Sequence, residues 1–279
     1  MLRTKKLICR FLAVVFLAIA AAYTPIGQLA ATAQPLTICT ATGAAPSTSV
    51  TLTNEEKLLA DAYLRAVCDA YKPEASEVSD KLWAIATNNP KLIWYNPDKK
   101  QFRAVTWTSW PGYEGKQGSP LTLETDVWIT AAPELQEFCG GLQLDPEALT
   151  LRIEQYLGLP AHRGKTKFVE MWVNPSDVFR PCPDKEIDDA RCEVAFPQNV
   201  EEIHKAWIET QKKSSYPEKA LEKGFPWTGL GYTYDWGNLK TEIGASEFLV
   251  RKGATVTIDS IKETRQYCQP KTLISSYNP

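Results

Sequence analysis

The six cysteines that remain once an export leader is removed constrain this chain most, because they cross-link it in any oxidising compartment that receives it. Residues 1–10 carry Arg3, Lys5, Lys6 and Arg10 and no acid, Phe11 to Tyr23 is apolar, and small residues close the segment at Ala31-Thr32-Ala33. A cationic start, an apolar run too short to cross a bilayer and a small-residue close predict a signal peptide over 1–33, cleaved to leave Gln34 first. Leu36-Thr37-Ile38 lacks the small residues that precede a lipidated cysteine, and no later stretch is apolar enough to span a membrane. Removing residues 1–33 takes away Cys9 and four cations, which leaves six of the seven cysteines and moves the formal net charge from −2 to −6.

Cys39, Cys68, Cys139, Cys182, Cys192 and Cys268 are therefore expected in disulfides, which stabilise by restricting the unfolded chain. Sequence alone does not choose among the pairings, but Cys182 with Cys192 is favoured because the Pro-rich, acidic segment between them has little apolar surface to bury. Zinc is disfavoured, since no Cys-x-x-Cys occurs and the two histidines, His162 and His204, lie far apart. Asp184, Glu186, Asp188 and Asp189 are oxygen donors of the kind Ca²⁺ takes, yet the glycine position of an EF-hand loop holds Asp189 and its closing acid is Ala195. No metal is assigned, and a solvated acidic loop is expected there. A modestly acidic mature chain without a basic stripe also excludes nucleic acid as a partner.

The pattern predicts an α+β protein stabilised by disulfides, with helices and a β-hairpin in the N-terminal half (34–160), a mostly antiparallel sheet in the C-terminal half (161–268) and a loose tail over 269–279. Thr53 with Glu56 forms a capping box before an apolar face running from Leu58 to Ala70. A second helix is expected from Glu74 to about Thr87, with Val78, Leu82, Trp83 and Ala86 inward. Lys91–Tyr95 and Gln101–Thr108 read as a hairpin, Pro111–Pro120 as an exposed loop, and Leu121–Thr130 as a third strand. Asp145-Pro146 opens another helix, because Asp caps free amides and Pro loses nothing at the first helical position. Lys167–Val173, apolar on both faces apart from Glu170, reads as a central strand. Asn199 to about Lys213 is a helix with Ile203, Ala206, Trp207 and Thr210 along one side, and Glu247–Val250 with Thr255–Ile261 is a hairpin turning at Arg251-Lys252-Gly253.

The stretch Phe225–Gly237 concentrates glycines, which admit close backbone approach, with Trp227, Tyr232, Tyr234 and Trp236, which offer flat faces with polar tips. A ligand-binding cleft and a packed strand with tight turns explain it equally well, since nine tryptophans in one chain must mostly serve packing. Glu247 is the one acid where the next apolar strand begins, a placement that suits a general base or a stabiliser of developing positive charge. Asp235 and Glu247 also form a carboxylate pair of unknown separation. Nucleophile-elbow, phosphate-loop and dinucleotide signatures are absent from the sequence.

The segment Ser246-Glu247-Phe248 through Ile258 resembles the last motif of ADP-ribosyltransferase-like domains, in which a glutamate opens a strand and a basic-Gly turn follows. That resemblance implies that Glu247 orients a nicotinamide ribose, Arg180 holds a phosphate or ribose, Tyr232 or Tyr234 stacks on nicotinamide, and NAD is consumed. Ala245 stands where such domains carry Glu or Gln, and Arg180 comes later than their strand-borne arginine. The chain as a whole looks like a family of exported bacterial proteins without assigned activity, through Glu170–Pro175, Phe179–Asp184, Gly229–Trp236 and Ser246–Phe248; that resemblance implies a shared scaffold and supplies no reaction. Two functions follow. The first expectation is an exported, periplasmic or secreted protein that binds a small molecule, glycan or partner protein through Arg180, Trp227, Tyr232, Tyr234 and Trp236. The alternative is an NAD-consuming enzyme that uses Glu247.

Overall fold

The computed structural model describes Cys39 and residues 53–270; the expected signal peptide and, from residue 271 on, the expected tail lie outside the described residues. The chain builds helix α1 (Asn54–Ala70), strands β1 (Phe102–Thr108), β2 (Pro120–Thr122) and β3 (Val127–Ala131), helices α2 (Glu134–Gly140) and α3 (Pro146–Tyr156), then β4 (Lys167–Val173) and β5 (Val178–Phe179). Helix α4 (Glu202–Ser215), strands β6 (Tyr232–Tyr234), β7 (Ile243–Ser246), β8 (Phe248–Val250) and β9 (Thr255–Glu263), and helix α5 (Thr264–Tyr267) complete it. The result is an α+β fold whose seven-stranded antiparallel sheet runs β2-β9-β4-β1-β3-β8-β5, with β6 and β7 as a separate pair.

Strand β4 is buried at every position and lies third in this order, as its two-sided apolar pattern requires. It pairs with β1 along seven residues, from Phe102 opposite Val173 to Thr108 opposite Lys167, so the regions before and after residue 160 share one sheet. Successive side chains point to opposite faces. Phe102, Ala104, Val169, Met171 and Val173 join Phe248, Val250, Val256 and Ile258 in one core. Val105, Trp107 and Phe168 pack against Leu135, Leu149, Ile153 and Tyr267 of α2, α3 and α5 in another.

Two capped helices form as expected. Thr53 accepts from the Glu56 N–H at 3.2 Å while Glu56 accepts from the Thr53 N–H at 2.7 Å, and Asp145 accepts from the amides of Glu147 and Ala148. The helix expected over 74–87 does not form beyond one short turn at Ala75–Glu77. Its spacing suits a helix, but the amides of Leu82 and Ile85 donate instead to the carbonyls of Ala190 and Ile187, and the Trp83 amide donates to Ser246 Oγ. The segment is an extended strap over the acidic loop.

The strand expected over 121–130 divides at Leu123–Asp126, and its halves serve distant parts of the sheet as β2 and β3. The expected hairpin over 247–261 is not one either: β8 pairs with β3 and β5, and β9 with β2 and β4. Residues 251–254 form a tight turn closed by the Ala254 N–H on Arg251 O, too short to cross the intervening strands of a flat sheet, so the sheet curls around its inner core. In α4 the inward face is His204, Ile208 and Ser215, and Ile203 is exposed. His204 turns inward because its Nε2 meets the Cys182 carbonyl at 2.8 Å. The first hairpin survives with a minimal outer strand, in which Trp94 bridges Phe102. Tyr113 is buried, so the 111–120 loop is anchored at that ring.

Cys39 bonds Cys68, Cys139 bonds Cys268, and Cys182 bonds Cys192. No helix among the described residues is long and apolar enough to cross a membrane.

Candidate functional site: an aromatic cavity holding an unpartnered acid

One side of the curled sheet, strand β6, the end of α4, the loop before β4 and the start of the 225–231 turns line a cavity of about 660 Å³. Trp107, Trp128, Phe225, Trp227, Tyr232 and Tyr234 supply its aromatic walls. The turns that deliver Trp227 and Tyr232 need left-handed backbone at Gly229 (φ +61°) and Gly231 (φ +77°). At Gly231 a Cβ would also come within 2.7 Å of Arg180 Cδ, so this glycine answers to both conformation and space.

The phenol tips face away from the cavity. Tyr232 donates to the Glu77 carbonyl at 2.9 Å and Tyr234 to the Asp69 carboxylate at 2.7 Å, so each ring is fixed at its far end. Trp107 is likewise held through Nε1 by Thr264 Oγ1. What the rings offer a ligand is carbon surface.

Three of the lining residues also carry a polar atom without a partner. Glu247 Oε2, Trp227 Nε1 and Thr130 Oγ1 are each buried, and each lacks a hydrogen-bond partner among the described residues. Glu247 sits between β7 and β8, where its own N–H donates to the Gly231 carbonyl and pins the backbone. The Glu247 side chain keeps some accessible surface, yet its carboxyl lies deep in protein and burial alone pushes it up to about 8. It is therefore mostly protonated at neutral pH, with one O–H to donate and an oxygen to accept.

A second acid, distant in sequence and outside the cavity lining, reaches the residue next to Glu247. Glu134 accepts from Ser246 N at 2.9 Å and Ser246 Oγ at 3.0 Å. Burial pushes it up to about 8 against the opposing effects of those bonds and of Arg180. Ser246 and Glu247 are neighbours; Ser246 engages Glu134 Oε1, while Glu134 Oε2 and Glu247 Oε2 both lack a partner among the described residues.

Of the residues singled out by sequence, Trp227, Tyr232, Tyr234 and Glu247 meet at this cavity. Arg180 does not line it. Its guanidinium is wholly buried, stacks over the Phe248 ring at 4.8 Å and donates to the carbonyls of Glu186, Trp83 and Asp189. It fastens the acidic loop to the strap, and although its Nη1 has no partner among the described residues, complete burial gives a phosphate no access to it. Trp236 also stands apart, edge-on to Tyr63 with Nε1 donating to the Leu159 carbonyl. Asp235 is taken by a two-bond fork from Arg152 and forms no pair with Glu247. Sequence reading missed Thr130, Arg163, Lys165 and Phe225; the run Arg163-Gly164-Lys165 carried a charge signal, but its loop setting disguised it. No three His, Cys, Asp or Glu side chains converge as a metal site among the described residues.

Comparison with protein-family models, curated proteins and solved structures finds no match. Fold and site together define a disulfide-linked α+β protein with an acid-bearing aromatic cavity.

Proposed function

We propose that this is an exported binding protein that holds a small organic molecule in the aromatic cavity. The observation that carries this reading is the lining of one cavity by six aromatic rings together with Glu247, Trp227 and Thr130, each of which carries a buried polar atom without a partner among the described residues. Each buried polar group without a partner costs about 1–3 kcal/mol, a cost a complementary ligand recovers. The cavity volume lies within the range of small-molecule sites, and an apolar lining with few convergent polar groups is their usual character. Export is supported by the leader-like residues 1–33 and by three disulfides, which persist in oxidising compartments.

One observation favours the enzyme reading as second. Glu247 lies in a concave site beside Tyr232 and Tyr234, as an acid acting on a nicotinamide ribose must. Arg180 gives that reading no support, being committed elsewhere.

Melting the oxidised mature protein against a panel of small aromatic compounds, with NAD included and nicotinamide release followed, tests both. A compound at 100 times its Kd should raise the melting temperature by roughly 5–10 °C. A panel without any shift contradicts the binding reading. Nicotinamide release that disappears in Glu247→Gln promotes the enzyme reading over it.

A further inference from the structure

The cavity lining carries two cations as well as an acid. Arg163 and Lys165 both line it, and neither takes part in an ion pair among the described residues. The acid closest to them in the fold is Glu154, whose two carboxylate oxygens accept the backbone N–H groups of His162 and Arg163. Arg163 rests over the Phe225 ring at 5.5 Å, and Lys165 donates to the Trp107 carbonyl at 2.9 Å, so both cations are held at the aromatic wall. Guanidinium and ammonium groups placed this way keep unused N–H donors.

Charge along the cavity is uneven. Burial, and then repulsion from Arg163, draws the Lys165 ammonium below its ordinary acidity range, so an anion beside the pair relieves both effects. Among the described residues Glu247 is the one acid that lines the cavity. Because its carboxyl is mostly neutral at pH 7, the cavity presents net positive charge there. Trp227 Nε1 adds an unused donor to the same space.

Resting on the binding reading above, we propose that the occupant is an organic anion: a flat ring between the aromatic walls, its acidic group against Lys165 and Arg163, and a polar edge toward Glu247, Trp227 and Thr130. A carboxylate or a phosphate meets these cations with charge-assisted hydrogen bonds, and Arg163 can take either bidentately.

The test uses the oxidised mature protein and sets of probes that differ only in charge. For each of the indole, naphthalene and pyridine rings, binding of the acetate, the acetamide and the ethylamine is measured by calorimetry at pH 7. Indole-3-acetate, indole-3-acetamide and tryptamine form the first set. The acids should bind about tenfold more tightly than the matched amides, the scale of a single charge-assisted hydrogen bond, and more tightly still than the amines. Lys165→Met should remove most of that preference while leaving amide affinity in place, and Arg163→Gln, which leaves the lysine intact, should reduce it. Amides or amines that bind as well as the acids overturn the anion assignment and leave the binding reading standing. A preference for acids that survives in both variants overturns the assignment of Arg163 and Lys165. If no probe of any charge binds and the wider melting panel is also silent, the binding reading itself falls.

Discussion

Arg180→Met should destabilise the protein by about 4 kcal/mol, because removing one member of a buried charged network leaves its partners stranded. Three carbonyls, those of Glu186, Trp83 and Asp189, lose their donor at once, and Met cannot replace any of them. Phe248 loses the guanidinium stacked on its ring, and Glu134 loses a cation that opposes the effect of burial. The strap should then grip the acidic loop only through its backbone bonds, from Leu82 to Ala190 and from Ile85 to Ile187. Urea unfolding followed by tryptophan fluorescence measures the loss. Ligand affinity of the folded fraction should be unchanged. A stable Arg180→Met protein that has lost ligand affinity would return Arg180 to the site that the sequence resemblance gave it.

The second large effect belongs to Cys139–Cys268, which ties α2 to α5 behind the sheet across 129 residues of chain. Closing so long a loop restricts the unfolded ensemble strongly, and opening it should cost about 4–5 kcal/mol on the chain-entropy account. The Cys182–Cys192 bridge closes a span of only 10 residues and should cost about 3 kcal/mol by the same reasoning. Double Cys→Ala variants of each pair, unfolded under identical oxidising conditions, give the comparison directly. The longer bridge should be the costlier loss. The reverse order would show that Cys182–Cys192 acts mainly in the native state, by holding the loop that Arg180 and the strap grip.

These two features show where sequence reading succeeded and where it stopped. The Thr53–Glu56 and Asp145 caps were readable because a cap is decided within four residues. Strand β4 was readable because burial on two sides leaves an unbroken apolar run. The 74–87 strap was not, since its apolar spacing suits a helix and the decision lies with carbonyls about 100 residues away at Ile187 and Ala190. The 247–261 segment has two apolar strands and a turn, the local marks of a hairpin. Only the curl of the whole sheet sends β8 to β3 and β9 to β4.

The site was readable in the same uneven way. Trp227, Tyr232, Tyr234 and Glu247 stood out as unusual residue types close together in the chain, and the fold gathers them. Thr130 comes from β3, and Arg163 and Lys165 from the loop before β4; nothing in their own surroundings points to a cavity until the sheet is assembled. Arg180 entered the reading only through the resemblance, and the fold uses it instead as a clamp between the acidic loop and the strap.

The central claim is that Glu247 is a buried acid left open for a ligand, and its effect on stability tests this most directly. Its native value of about 8 exceeds the ordinary 4.5, so between those values the native state binds the extra proton and stability falls as pH rises. Glu134 titrates in both proteins and cancels from the comparison. Unfolding of ligand-free wild type and Glu247→Gln should therefore show the variant more stable by about 3 kcal/mol at pH 7, with the difference fading as the pH falls toward 4. Equal stability at both pH values, or a variant weaker at pH 7, would mean that Glu247 already has its partner within the fold.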